Sequence, residues 1–433
     1  LSLLIHIAMK RLLLFSLICL CACESTQFED SSSDSVVSNE YHIPLDEALT
    51  HLDSFLSEMN AETKSSGIYR DYSCSSIETI STSDLFIDTK SSPLNETIAG
   101  DLMYIVNFDN DLGTAVLSAD ERTSDVVLCV TESGSLSFTD FTKANEFMQS
   151  ANNTEVNNGD DFTIDLGELT IPSMILSSVI SDIYNYDDQQ SSTITKSLSS
   201  AHKYGPYLTT KWCQSNLAGS NELLFNRYTP NNCAAGCVVI AVAQVLMNVI
   251  NFTFTCSDGH VCQRDTMMTV AHYLTPYYAG TSEAQVQAGK FVYNLGASSL
   301  LCDVSYGKDG SSSNANKAKR TFDAFLLRNV DKKTGFNDTD ENNVTNQVRA
   351  GRPVYMGGLK KGSVYGHAWV VDGEWGDYYH INWGWNGMYD GYFSKGTFKP
   401  QGGRASYIDE VDSGTYGSYT NETLKPYTWS YKY

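Results

Sequence analysis

The 433-residue chain is poor in basic residues, with 29 Lys and Arg against 51 Asp and Glu and a formal charge of -22. It therefore lacks the basic footprint that nucleic acid or an anionic membrane face would require of a main partner. A membrane-length apolar run is also missing: the stretch Leu12 to Leu20 is too short against the about 20 residues a spanning helix needs. No polar low-complexity tract dominates. With 42% hydrophobic and 18% charged residues, the chain is neither disordered throughout nor collagen-like. Its length predicts two or three domains of about 150 residues each.

The shortage of positive charge is uneven. Residues 24–195 hold 32 acids and 5 bases, whereas residues 196–433 hold 19 acids and 22 bases. An acidic first half and a faintly basic second half suggest two domains that attract one another, although acidity that only keeps the first domain soluble gives the same pattern.

What is present at the N-terminus is an export pattern. Met9-Lys10-Arg11 is followed by the apolar run to Leu20 and by small residues, so residues 9–22 are predicted to be a signal peptide starting at Met9. Leu20-Cys21-Ala22-Cys23 resembles the bacterial lipobox, which makes Cys23 the expected lipidation site. Residues 23–40, rich in Ser, Asp and Glu, read as the tether behind such an anchor. The expected location is the cell envelope, as an outer-membrane lipoprotein facing the periplasm or the surface, with release after processing; the lipid is the only membrane contact expected.

Export places the remaining cysteines in an oxidising compartment. Cys256 with Cys262 is the closest candidate pair and Cys213 with Cys233 a second, and spacing leaves the pairings open. Cys256, His260 and Cys262 lack a fourth ligand nearby for a metal site. No metal and no cofactor are expected.

Leu45, Ala48, Leu49, Leu52, Phe55 and Leu56 fall at helical spacing, predicting a first amphipathic helix. Short β-branched runs follow at 102–108, 114–118 and 126–130, separated by turn-like segments, which fits a small antiparallel sheet with helices on one face. The polar stretch Asp182 to Ser200 marks the best domain boundary and an exposed place for proteolysis, giving domains at 41–190 and 196–433. In the second domain, the 14-residue apolar run from Cys237 to Ile250 is longer than an ordinary strand and reads as a buried central helix. Aromatic-rich strands are predicted at 352–357, 366–373, 378–383 and 391–393.

A cysteine in the first turn of a buried helix meets unpaired backbone N–H groups and the positive end of the helix dipole, both of which favour thiolate. Cys237 holds that position, and an inert core cysteine is the alternative. Further on, Gly366-His367 opens a strand and Asn382-Trp383-Gly384-Trp385 closes the next. His367 is the candidate base, Asn382 a residue able to orient its imidazole, and Trp383 a shield for that bond.

At these residues the chain resembles the streptopain family, secreted cysteine peptidases of the papain superfamily made as zymogens. The matching segments are Trp212-x-Gln214, Gly236-Cys237-Val238 with Ala241-x-Ala243-Gln244, Asp303-x-x-Tyr306-Gly307 with Gly310-Ser311, Gly366-His367-Ala368, and Tyr379-His380-x-Asn382-Trp383-Gly384-Trp385 through Asp390-Gly391-Tyr392-Phe393. A weaker, separate likeness to the family's prodomain covers Gly113 to Arg122, with Val127-Leu128 and Gly134. The resemblance implies an α+β fold, a papain-like catalytic domain with a central helix packed on an antiparallel sheet, preceded by a small α+β prodomain. It implies Cys237 as nucleophile, His367 as general acid/base, Asn382 as orienter with Trp383 over it, and Gln214 as an oxyanion donor. Tyr306, Gly307, Ser311 and Gly366 become candidate substrate-binding residues. Val238-Val239-Ile240 departs from the family in its bulk behind the nucleophile, and Cys213 stands beside the oxyanion Gln.

The expected partners are protein or peptide substrates, together with the chain's own prodomain acting as inhibitor. Two other functions fit a Cys–His pair: a thiol amidase or transpeptidase acting on cell-wall peptides, and a silent peptidase fold serving as a surface binding protein.

Overall fold

A long antiparallel sheet organises the molecule. The computed structural model describes residues 39–63, 70–85, 100–150, 167–184, 186, 201–214, 224–270, 282–307, 310–325, 330–332, 338–359, 366–398, 410–412, 415–417 and 427–430. The expected export signal, Cys23, most of the expected tether and the polar stretch 187–200 lie outside the described residues, and with them the expected anchor and processing boundary. Among the described residues, no helix is long and apolar enough to cross a membrane.

The N-terminal part supplies helix α1 (Leu45–Thr63), strands β1 (Cys74–Ser81), β2 (Asp101–Phe108), β3 (Thr114–Ser118) and β4 (Val127–Thr131), and helices α2 (Phe138–Ser150) and α3 (Thr170–Tyr184). The strands form a meander, β1 to β4 pairing in order. The sequence predicts helices on one face of this sheet, but both faces are covered. Strand β2 is buried from Leu102 to Phe108, so its side chains need partners above and below. Tyr104 and Val106 pack with Ala48, Leu52 and Phe55 of α1, while Met103 and Ile105 pack with Phe141 of α2 and Ile175 and Val179 of α3. In α3, Pro172 falls in the first turn, where no N–H is required of it.

The C-terminal part contains β5 (Lys203–Tyr204), α4 (Cys237–Val249), β6 (Phe252–Thr255), β7 (Val261–Gln263), α5 (Glu283–Ala297), α6 (Ala315–Ala324), β8 (Val330–Lys332) and α7 (Asp338–Arg349). Strands β9 (Val354–Leu359), β10 (Gly366–Trp375), β11 (Tyr378–Asn382) and β12 (Gly391–Ser394) follow, then the short β13 (Glu410–Asp412), β14 (Thr415–Gly417) and β15 (Tyr427–Ser430). Helix α4 forms where the sequence predicts it, and every residue from Cys237 to Met247 is buried. Its apolar surface packs with α5, α6 and the inward side chains of β9 and β10, notably Tyr355, Ala368 and Val370. At about 1.5–3 kcal/mol for each fully buried Val, Leu, Ile or Met, this helix is the main apolar anchor of its half.

The sheet order is β1-β2-β3-β4-β12-β11-β10-β9-β13, with β5 also paired to β10. The segments expected as separate domains therefore contribute strands to one sheet. Their junction is β4 against β12, antiparallel, with Cys129, Val130 and Thr131 opposite Phe393, Tyr392 and Gly391. Gly391 has to be glycine here, because a Cβ would run into the Val130 carbonyl. The apolar clusters also cross the junction: Tyr378 and Tyr392 pack with α1, and Trp369, Trp383 and Phe393 pack with the cluster under α2 and α3.

Candidate active site

The site begins where the chain turns into α4. Gly236 has φ +100°, which favours glycine, and the helix starts at the next residue, Cys237. The loop before it is tethered on two sides. Ala235 N–H donates to the Gln214 carbonyl at 2.5 Å, and Ser311 Oγ donates to the Ala234 carbonyl at 2.5 Å. Cys237 is 8% exposed at the first position of α4, where its backbone N–H is one of the four a helix leaves without an internal partner. Gln214 stands two residues from Cys237 across the Ala235 bond, and the bridge between Cys213 and Trp385 ties the same segment to the loop after β11.

His367 is the second residue of β10 and is 3% exposed. Its Nε2 lies 2.8 Å from the carbonyl oxygen of Trp383. A carbonyl only accepts, so Nε2 carries the proton, and in the neutral ring the basic lone pair belongs to Nδ1. The ring packs against indoles, stacking on Trp385 at 4.6 Å and on Trp383 at 6.0 Å between centroids. Among the described residues no hydrogen bond joins Cys237 to His367. The two are related through the loop after β11: Gly384, with φ +75°, sits so close to α4 that a Cβ would come within 3.2 Å of Ile240, one turn beyond Cys237.

Asn382 does not hold the imidazole as expected. Its Oδ1 accepts from Gln244 Nε2 at 2.9 Å and from Gly384 N–H at 3.1 Å, and its Nδ2 donates to the Thr210 carbonyl at 3.1 Å. The oxygen beside His367 Nε2 is the main-chain carbonyl of the next residue, while the Asn382 side chain bonds Gln244, Gly384 and Thr210. Trp383 lies flat beside Trp385 with ring centroids 5.6 Å apart. The importance of Gln244 was not read from the sequence. The signal was a glutamine inside an otherwise apolar helical run, since a buried amide must find hydrogen-bond partners.

A second polar cluster lies beyond this one. His380 of β11 donates Nδ1–H to Asp372 at 2.6 Å and places Nε2 3.5 Å from Glu132. Lys211 reaches Asp390 at 2.9 Å and Glu132 at 3.6 Å, and Asp390 accepts the Trp383 N–H at 2.9 Å. Burial works against charge on His380, but Asp372 and Glu132 outweigh it and hold the imidazole up at about 9. Burial likewise opposes the Glu132 carboxylate; His380, Lys211 and Arg70 more than compensate and hold it well below the usual range. Glu132 follows β4, so this carboxylate comes from the N-terminal part.

The expected substrate-binding residues are placed unevenly. Ser311 is at the site, holding the loop before Cys237, and Gly366 starts the strand that carries His367. Gly307 turns back on Gly310, whose carbonyl leaves 2.5 Å for a Cβ. Tyr306 packs toward α5: its hydroxyl occupies the space a side chain on Gly296 would need, and its ring lies 6.4 Å from Tyr293. Away from the site, no disulfide joins the described cysteines; the Cys256 and Cys262 sulfurs are 3.4 Å apart across the β6–β7 hairpin.

The fold and site define a mixed α+β protein with a cysteine at the start of a buried helix and a histidine on an adjoining antiparallel sheet. Residues 220–393 match the Peptidase C10 family, a stretch with Cys237, His367 and Asn382 inside it and Gln214 just outside. Streptopain of Streptococcus pyogenes is 26% identical over 216 residues, which cover 44% of this chain and 54% of the relative. The chain thus spans about half the length of the curated relatives it matches. A solved structure of a Prevotella intermedia prointerpain A fragment covers 80% of this chain and 100% of its own at 20% identity, with a TM-score of 0.48. The active interpain A cysteine protease of the same organism covers 52% and 100% at 22% identity, with a TM-score of 0.38.

Proposed function

We propose that this chain is a cysteine endopeptidase made as a zymogen, with Cys237 as nucleophile and His367 as its acid/base partner. The observation that carries the reading is the bond from His367 Nε2 to the Trp383 carbonyl. It selects the tautomer whose Nδ1 can take a proton, on a ring kept in place by indoles, in a stretch that matches a peptidase family. Cys237 Sγ attacks the scissile carbonyl as its proton passes to His367 Nδ1. The oxygen's developing charge is met by the Cys237 N–H at the start of α4 and the Gln214 amide. His367 then protonates the leaving amine, and water drawn against the same base hydrolyses the thioester, releasing the acid and restoring the thiol. The pairing of Nδ1 with Sγ tightens once substrate is bound, as such contacts do.

In this reading residues 41–190 are the inhibitor. Supporting this, the N-terminal part grips the loop that carries Trp385. Glu132 N–H donates to the Asp390 carbonyl at 2.6 Å, Tyr389 N–H to the Ser133 carbonyl at 3.2 Å, and Ser133 Oγ to the Gly387 carbonyl at 2.9 Å. Cleavage within 182–200 frees the C-terminal part, and lipidation at Cys23 holds the precursor at the cell envelope until then. Casein digestion by wild type, lost by on the order of 10⁴-fold or more in Cys237→Ala, tests the chemistry. N-terminal sequencing before and after activation tests the processing, and fatty-acid labelling that disappears in Cys23→Ser tests the anchor. Digestion by Cys237→Ala near the wild-type rate would sink the proposal.

A further inference from the structure

Gln244 lies seven residues after Cys237 on α4, two turns on and about 10 Å along the axis, on the same face of the helix. It is fully buried, at 0% exposure. Its Oε1 accepts from Thr210 Oγ1 at 3.0 Å and from Trp212 N–H at 3.2 Å, and its Nε2 donates to Asn382 Oδ1 at 2.9 Å. Each partner leads to a different piece of the site. Thr210 and Trp212 open the segment that ends in Gln214. Asn382 precedes Trp383, whose carbonyl holds His367, and shares its Oδ1 with the N–H of Gly384. One side chain on the helix of the nucleophile therefore connects the oxyanion-side segment with the strand end that sets the base.

We propose that Gln244 is a positioning residue for the Cys237–His367 chemistry, a neutral clamp that fixes the Gln214 segment and the Trp383 carbonyl relative to the start of α4. This inference rests on the peptidase reading above. Gln244 touches no reacting atom. It acts by keeping the Trp383 carbonyl where it can hold the ring, and the network it serves is uncharged, so its geometry does not change as the site gains or loses protons. A misplacement of about 1 Å in such a frame costs on the order of a hundredfold in rate.

The test is the alkylation of Cys237 by iodoacetamide in the full chain, followed by peptide mass spectrometry at pH 6 and pH 9.5. A thiol paired with an imidazole reacts at pH 6, whereas an unassisted thiol needs the higher pH. In Gln244→Met, of similar volume, the ratio of the pH 6 rate to the pH 9.5 rate should fall about ten- to a hundredfold, with far-ultraviolet circular dichroism unchanged. Wherever turnover is measurable, kcat should fall with KM nearly constant. Thr210→Val removes one hydroxyl only and should lower the same ratio about threefold or more, which decides the matter if Gln244→Met fails to fold. A folded Gln244→Met with a ratio within twofold of wild type, or, where that variant does not fold, an unchanged ratio in Thr210→Val, overturns the inference while leaving the peptidase reading intact. A wild-type chain that neither reacts at pH 6 beyond His367→Ala nor digests casein after activation overturns both; one that digests casein without such reactivity overturns the inference alone.

Discussion

Two buried polar networks reach the Asn382–Trp383 strand end, and they are built on different principles. The first, Gln244 with Thr210, Trp212 and Asn382, is uncharged and lies wholly in the C-terminal part. The second joins His380, Asp372, Lys211 and Asp390 to Glu132 from the N-terminal part. Neutral hydrogen bonds contribute about 1 kcal/mol each and are indifferent to pH in the working range. Buried charges are costly to desolvate, and removing one partner leaves the other uncompensated. The contrast separates what is permanent in the site from what depends on the N-terminal part being present.

The largest effect that can break this contrast is expected from His380→Ala, which leaves Asp372 and Glu132 facing each other without their shared cation. Urea unfolding should show a loss of about 3–5 kcal/mol. A loss below about 1 kcal/mol would mean that the ionic cluster holds the sheet no more firmly than the neutral one.

Glu132→Gln is a gentler probe, since it keeps the shape and removes the charge supplied by the N-terminal part. A loss of about 1–2 kcal/mol is expected, with hydrogen exchange rising along β4 and β12 while β9 and β10 stay protected. Equal increases in all four strands would place the effect in the whole sheet, not at the junction.

The pH dependence of thermal unfolding sharpens the same comparison. The His380 pKa is raised from its ordinary 6.5 to about 9, so its stabilisation is fully present below pH 6.5 and is lost as pH rises through about 9. For Glu132 the shift is downward from 4.5, so its contribution is present above that value and is lost as pH falls below it. Their joint support is therefore greatest between about pH 5 and pH 6.5. In Glu132→Gln the acid limb should flatten and the alkaline limb should move to lower pH, because the histidine has lost one of its two carboxylates.

The smallest effect belongs to Thr210→Val, about 1 kcal/mol, and it should be the same at pH 5 as at pH 9. A pH-dependent loss there would show that the two networks are coupled through Trp383.

Much of this was legible in the linear chain because it rests on local rules. The 14-residue apolar run is longer than an ordinary strand and reads as a buried helix, and it begins at Cys237; strand periodicity put β2, β3, β4 and β9–β12 within about two residues of their ends. The spacing of Gly366-His367 and Asn382-Trp383 marked the strand ends of the site. Tertiary structure alone decided which oxygen the imidazole meets. Side-chain type favoured Asn382, but packing of the strand end on α4 spends that amide on Gln244 and Thr210 and gives His367 the neighbouring carbonyl. It also decided that β4 and β12 pair, and that Glu132 meets His380, which lies 248 positions away in sequence. Helices and turns follow from contacts a few residues apart, which composition encodes directly; the partners of a buried polar atom are chosen among all groups that folding brings within 3 Å, and no local pattern records that choice.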